Sequence, residues 1–127
     1  MKRAIKNYDS NMVKKSDEAI SYCISGVEKA ERMDYKGAID DYSKAIEINP
    51  SFAAAYYNRG IVRDELSELA EAIEDYTKAI EINPDLAVAF TYRGSAKYKQ
   101  GDIEGAQSDW RRADELREIK DNKENSN

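Results

Sequence analysis

The sequence has no histidine and a single cysteine among its 127 residues. Histidine is the commonest general base in enzymes and the commonest transition-metal ligand, so its absence argues against both roles. Cys23 has no second cysteine with which to form a disulfide, which fits a reducing compartment. We predict a protein that is not an enzyme and needs no cofactor, in which Cys23 is a small core or groove residue.

Long apolar runs and phosphate-binding loops are also missing. No stretch approaches the roughly 18–20 apolar residues of a membrane span. The start, MKRAIKNYDSNMVKK, has no apolar core and does not read as a secretory signal. Neither GxxxxGK[ST], GxGxxG nor the DxDxDG calcium pattern occurs. These absences predict a cytoplasmic protein that does not enter a membrane.

Acidic residues outnumber basic ones, 25 to 20, and the net charge is −5. Nucleic acids and anionic membranes require clustered Lys and Arg, so neither is an expected partner. Carboxylates such as Asp64-Glu65 and Glu74-Asp75 lie beside Lys and Arg at the spacing of a helix surface. We interpret them as a solvated face rather than as an acid–base or metal site.

One segment occurs twice almost unchanged. Residues Ala72–Pro84 read AIEDYTKAIEINP, and Ala38–Pro50 read AIDDYSKAIEINP, 34 residues earlier. A weaker third copy, AQSDWRRADELRE, starts at Ala106. A fixed period in the range of roughly 20–50 residues indicates stacked supersecondary units.

Each unit is predicted to form two helices. The first helices begin near Ala19, Ala53 and Ala87 and run for about 14 residues. The turns fall near residues 33–34, 67–68 and 101–102, with Asp34 and Asp102 as N-caps. The second helices stop before the Asn-Pro pairs at 49–50 and 83–84, because proline disfavours helical geometry in the preceding residue. Glu118 stands where the third unit would have proline.

Four further kinds of residue recur at the same period: an aromatic residue and a glycine on the first helix, and an alanine and a second aromatic on the second helix. The sets are Tyr22, Tyr56 and Phe90; Gly26, Gly60 and Gly94; Ala38, Ala72 and Ala106; and Tyr42, Tyr76 and Trp110. This pattern resembles the tetratricopeptide repeat (TPR) family. The resemblance implies an all-α fold, a right-handed α-solenoid of antiparallel helix hairpins with a concave groove. It implies repeats at 19–52, 53–86 and 87–120, between an N-terminal segment 1–18 and a polar tail 121–127.

The spacing predicts two kinds of internal contact. Gly60 and Ala72 should meet across their hairpin, with Tyr56 and Tyr76 filling the space around them. Asp41 precedes Arg59 by 18 residues, as Asp75 precedes Arg93, so each Asp is predicted to pair with an Arg of the next unit. The alternative is that these are independent solvated charges.

The two ends differ from the middle. Met1–Val13 matches part of a second helix and is interpreted as a cap on the first repeat; a disordered tail with chance matches is the alternative. Gln107 and Asp114 replace isoleucines of the earlier units, so the outer face of the third unit is polar, as a terminal repeat requires. Lys120–Asn127 is predicted to be a frayed polar tail.

The family resemblance implies that the inner face of the first helices binds a peptide or helix. The residues carried over to this groove are Cys23, Val27, Glu31, Tyr57, Asn58, Ile61, Asp64, Glu65, Thr91, Ser95, Tyr98 and Lys99. Tyr57 and Tyr98 are the expected anchors, because aromatic residues dominate binding energy. The alternative is that these two rings cover the inner face and contact each other. Acids such as Asp64 and Glu65 favour a ligand with basic residues.

One TPR subclass clamps the C-terminal carboxylate of heat-shock chaperones with Lys, Asn and Arg. The matching places here are Cys23, Val27, Asn58, Val88 and Tyr92, of which only Asn58 agrees. We therefore predict a non-catalytic adaptor for some other protein or peptide. The alternative is a structural protein that self-associates through its terminal helices or convex face, suggested by Trp110 and Leu116 on the last helix.

Overall fold

The computed structural model describes residues 10–126. Six α-helices follow one another in this part of the chain: α1 Ser10–Glu31, α2 Tyr35–Ile48, α3 Ala53–Glu65, α4 Leu69–Ile82, α5 Ala87–Lys99 and α6 Ile103–Asn125. They pack as three antiparallel hairpins, α1–α2, α3–α4 and α5–α6. Consecutive hairpins contact each other through α2–α3 and α4–α5, so the chain forms an α-solenoid as predicted.

The predicted turns and caps are confirmed. The carboxylates of Asp34 and Asp102 accept hydrogen bonds from the N–H groups of Gly37 and Gly105, at 3.1 and 2.9 Å. Gly101 occupies the left-handed region with φ 88°, which costs glycine little. The second helices of the first two hairpins end at Ile48 and Ile82, directly before Asn-Pro.

A glycine lies under an aromatic ring in every hairpin. A Cβ on Gly60 would lie 2.7 Å from Cε1 of Tyr76 and 3.3 Å from the carbonyl oxygen of Ala72. Gly26 and Gly94 are covered in the same way by Tyr42 and Trp110. The predicted approach of Gly60 to Ala72 is therefore present, but the tightest contact is with the ring of Tyr76.

The predicted pairing of Asp41 with Arg59 is wrong. Arg59 instead binds Asp75 of its own hairpin. Asp41 accepts a hydrogen bond from the hydroxyl of Ser25 at 2.6 Å and forms an ion pair with Lys29 at 3.0 Å. Burial works to raise the pKa of Asp41, but Ser25 and Lys29 together hold that pKa below its ordinary value. Arg93, the predicted partner of Asp75, likewise binds Asp109 of its own hairpin, so that predicted pairing is wrong as well.

Two helices are longer than predicted. Helix α1 already includes Ser10, so residues 10–18 belong to the first helix rather than to a separate element. Of the cap predicted at Met1–Val13, residues 1–9 lie outside the described residues. Helix α6 continues to Asn125, so the predicted frayed tail is helical there. Helix α6 has 23 residues, whereas α4 has 14. It is longer because Glu118 replaces the proline that ends the earlier helices.

Candidate functional site

The first helices of the three hairpins lie side by side. Helix α3 contacts both α1 and α5, whereas α2, α4 and α6 do not contact one another over residues 10–126. The first helices therefore form the more closely packed inner layer, and their exposed side chains share one surface.

Two adjoining depressions mark this inner layer. The first inner depression lies between α1 and α3 and encloses about 370 Å³; it is lined by Val27, Ala30, Glu31, Tyr35, Tyr42, Asn58, Ile61, Val62 and Glu65. The second inner depression lies between α3 and α5 and encloses about 310 Å³; it is lined by Ile61, Asp64, Glu65, Tyr76, Tyr92, Ser95 and Lys99. Ile61 and Glu65 line both, so the two depressions meet on α3.

The structure brings eight of the predicted groove residues to these depressions. They are Val27, Glu31, Asn58, Ile61, Asp64, Glu65, Ser95 and Lys99. The other four, Cys23, Tyr57, Thr91 and Tyr98, do not line either depression.

Each of these four residues is engaged elsewhere. Cys23 is buried and accepts a hydrogen bond from the amide of Asn58 at 3.7 Å. Thr91 contacts helix α6: its hydroxyl accepts from Arg117, and its carbonyl accepts from the indole of Trp110. Tyr98 is 54% exposed and lies beside the ring of Trp110, at 5.9 Å between centroids.

Tyr57 packs into an aromatic cluster with Tyr76 and Tyr92. Its ring meets Tyr92 edge-on at 5.7 Å and Tyr76 at 6.2 Å, and Tyr76 and Tyr92 are also 6.2 Å apart. Burial, with a smaller contribution from Tyr92, raises the pKa of Tyr57 to about 12. Tyr57, an expected anchor, is thus packed within the scaffold, whereas Tyr76 and Tyr92 line the second inner depression and Tyr92 is 41% exposed.

Sequence reasoning missed Tyr92 as a residue that lines the inner depressions, although a signal was present. Tyr92 follows Asn58 by 34 residues, so it holds the place in the third unit that Asn58 holds in the second. Asn58 was included in the predicted groove, and its counterpart should have been as well. Tyr35 of the first depression was missed because it belongs to a second helix.

The acids of the inner layer are not equivalent. Lys99 donates to the carboxylate of Asp64 at 2.7 Å, and the hydroxyl of Tyr76 approaches the same carboxylate at 3.4 Å. Asp64 is therefore neutralised within the protein, although we expected it to face basic ligand residues. Glu31 and Glu65 are exposed and lie at the edges of the depressions.

Few groups near the inner depressions could act as a nucleophile or a metal ligand. Burial raises the pKa of the Cys23 thiol, opposed in part by the hydrogen bond from Asn58, so the thiol is protonated near neutral pH. Within residues 10–126, no three His, Cys, Asp or Glu side chains are grouped so that they could hold a metal ion. None of the helices in the same range combines the length and apolar character that a membrane crossing requires.

Comparisons with known proteins agree with this architecture. A family model described as "Tetratricopeptide repeat" matches residues 53–86, and one described as "TPR repeat" matches residues 29–64. No curated protein sequence matches the chain.

Several solved structures superpose well. A crystal structure of MamA is 33% identical with a TM-score of 0.81 over 84% of this chain. The chain spans 63% of the length of that MamA chain. The second TPR domain of Spaghetti (RPAP3), bound to the HSP90 peptide SRMEEVD, is 26% identical with a TM-score of 0.82, over 85% of this chain and 99% of that one. The TPR domain of OM64 from Arabidopsis is 26% identical with a TM-score of 0.79, over 80% and 84% of the two chains.

The period, the glycine–aromatic packing, the hairpin solenoid and these matches agree with one another. The chain is a member of the tetratricopeptide repeat family and has the fold of a protein-interaction module.

Proposed function

We propose that this chain is a non-catalytic adaptor that binds a protein segment along its two inner depressions. The observation that carries the proposal is the continuity of these depressions, which share Ile61 and Glu65 on α3. A segment that follows both depressions would contact the first helices of all three hairpins, so more than one repeat would contribute to its recognition.

The lining suggests the chemistry of the segment. Val27, Ile61 and Tyr92 offer apolar and aromatic surface, and Tyr92 carries a phenol that can also donate a hydrogen bond. Glu31 and Glu65 stand at the edges with exposed carboxylates. We expect a segment with apolar side chains flanked by Lys or Arg, because such cations would pair with these acids.

The carboxylate clamp of the chaperone-binding subclass does not fit this surface. Its matching places hold Cys23, Val27, Asn58, Val88 and Tyr92, with no cation among them. Asn58 is already hydrogen-bonded to Cys23. A chaperone C-terminus would leave its carboxylate unpaired there, which is costly.

Self-association is the weaker alternative, because its motivating residues are packed inside the third hairpin. Leu116 is only 8% exposed, and Trp110 covers Gly94 while donating a hydrogen bond to the carbonyl of Thr91. Neither offers a free apolar surface to a second copy.

We also propose that this adaptor is cytoplasmic, since Cys23 has no partner cysteine for a disulfide.

A random-peptide display library selected on the immobilised protein tests the proposal. We expect enrichment of peptides that combine Leu, Ile or Phe with Lys or Arg. A selected peptide should bind at least ten-fold more weakly to a Glu31→Lys/Glu65→Lys variant. The matched control is Asp40→Lys/Glu74→Lys, which makes the same change in net charge at exposed positions of α2 and α4.

Two results would overturn the proposal: no enrichment of peptides that combine apolar and basic residues, or equal loss of affinity for such a peptide in both variants. Circular dichroism of both variants checks that the helices are intact.

A further inference from the structure

The extension of α6 creates a second groove, with a charge opposite to that of the inner depressions. This α6 groove encloses about 500 Å³ between the last turns of α6 and the start of α5. It exists because α6 runs on past Glu118 instead of stopping at an Asn-Pro pair. The added turns pass over the linker and first turn of α5.

The floor of the α6 groove is apolar. Val88 and Ile119 are 41% and 47% exposed, and Leu86 and Leu116 lie deeper. Leu116 is 8% exposed, so the groove is concave rather than flat.

The walls of the α6 groove are basic. Four cations line it, against one acid, Asp85: Arg112, Arg117, Lys120 and Lys123. This is a strong local reversal in a chain whose net charge is −5.

The two arginines have only weak partners among the acids of their own helix. Arg112 pairs with Glu115 at 3.0 Å and Arg117 with Asp114 at 3.6 Å, and all four side chains are at least 44% exposed. Exposed pairs of this kind contribute roughly 0–1 kcal/mol, so a carboxylate of a ligand can replace them at little cost, while Arg117 keeps its hydrogen bond to the Thr91 hydroxyl. The N-terminus of α5, which has no side-chain cap, adds a further positive potential at Leu86–Val88.

We propose that the α6 groove docks a short acidic protein segment that also carries apolar side chains. The carboxylates would pair with Arg112, Arg117 and Lys120, while the apolar side chains would cover Val88 and Ile119. The stretch of α6 from Arg112 to Lys123 spans roughly 16 Å, at about 1.5 Å per helical residue. That length fits about five residues of an extended segment.

A protein segment fits the α6 groove better than other anions do. Inorganic phosphate would leave the apolar floor in contact with water, so it would use only half of the surface. A bilayer is flat on this scale and could not reach Leu116 at the bottom of the groove. The proposal is independent of the inner depressions, which are lined by different residues and favour a basic ligand.

A fluorescein-labelled peptide of Glu, Asp and Leu, titrated by fluorescence anisotropy, tests the α6 groove. We expect saturable binding to the full chain that weakens as salt is added, because the contacts are largely ionic. Binding should weaken at least ten-fold in an Arg112→Glu/Lys120→Glu variant. The matched control, Lys36→Glu/Arg111→Glu, makes the same charge change outside the groove lining and should alter affinity less than two-fold.

A second variant tests the floor of the groove without depending on α6. Val88→Asp puts an acid into the first turn of α5, where an acidic residue favours the helix. It should fold normally and weaken peptide binding at least ten-fold.

The remaining outcomes would overturn the proposal. Absence of saturable binding at millimolar peptide would do so, as would equal weakening by the control variant, which would indicate unspecific charge attraction. Binding to phosphatidylserine vesicles through the same residues, without peptide binding, would assign the surface to a membrane. A dimer in sedimentation that is lost in the Arg112→Glu/Lys120→Glu variant and blocks the peptide would assign it to a second copy.

Discussion

The guanidinium of Arg59 donates two hydrogen bonds to the carboxylate of Asp75, with nitrogen–oxygen distances of 2.9 and 2.8 Å. Its third nitrogen donates to the hydroxyl of Ser43 on the preceding hairpin at 3.1 Å. Arg93 repeats the arrangement with Asp109 and Thr77. Each arginine therefore closes its own hairpin and also links that hairpin to the one before it.

Removing the carboxylate of Asp75 should be strongly destabilising. The side chain of Arg59 is only 16% exposed, so Asp75→Ala leaves a mostly buried charge without its partner. We expect the free energy of unfolding to fall by about 3–5 kcal/mol. Urea unfolding followed by circular dichroism measures this change. Lys78→Ala breaks an exposed pair with Glu81 and is the control, with an expected loss of less than about 1 kcal/mol. Similar losses in the two variants would contradict the role of the Arg59–Asp75 pair.

Adding a methyl group at Gly60 should be destabilising although it favours a helix. Alanine in place of glycine improves helix propensity by about 1 kcal/mol, but the new Cβ would lie 2.7 Å from the Tyr76 ring. We expect a net loss of about 1–3 kcal/mol in Gly60→Ala, because overpacking outweighs the propensity. In a Tyr76→Leu background the ring is gone and the contact with the Ala72 carbonyl oxygen at 3.3 Å remains, so the same substitution should cost less than in the wild type. A stabilising effect in the wild-type background would show that the helices move apart easily.

Local signals made the hairpins predictable. Asp34 and Asp102 are capping residues, and proline at 50 and 84 stops a helix whatever surrounds it. The 34-residue period then placed equivalent residues of neighbouring hairpins in register. Features that depend on one residue and its chain neighbours could thus be predicted.

Contacts between elements were harder to predict. Arg59 has an aspartate 18 residues before it and another 16 residues after it, and both recur with the same period. Spacing alone could not decide between them, and the structure selects Asp75. The pairing of Asp64 with Lys99 was equally hard to predict, because it depends on how α3 and α5 pack against each other. The length of α6 could have been predicted, because Glu118 in place of proline removes the stop.

Restoring the stop signal should shorten α6. An Arg117→Asn/Glu118→Pro variant recreates the Asn-Pro pair that ends α2 and α4. We expect the helix to end near residue 117 and residues 119–125 to lose helical structure, which amide hydrogen exchange would measure. Glu118→Ala should keep the helix and serves as the control. Full protection of residues 119–125 in the Asn-Pro variant would contradict this account.

Alkaline pH should destabilise the fold partly through Tyr42. Burial, together with the nearby Cys23, Glu31 and Asp41, raises the pKa of Tyr42 to about 12. A pKa above the unfolded value of about 10 means that the neutral phenol favours the folded state. The stabilisation is complete below about pH 10 and is lost as the pH rises towards 12.

A Tyr42→Phe variant isolates this effect, because phenylalanine keeps the ring over Gly26 and cannot ionise. Between pH 9 and pH 11, the wild type should lose about 1.3 kcal/mol more than the variant. Tyr57, whose pKa is also raised, is present in both proteins and cancels from the comparison. Urea unfolding at the two pH values measures the difference. An equal loss in both proteins would mean that Tyr42 ionises as readily in the folded chain as in the unfolded one, which its 2% exposure argues against.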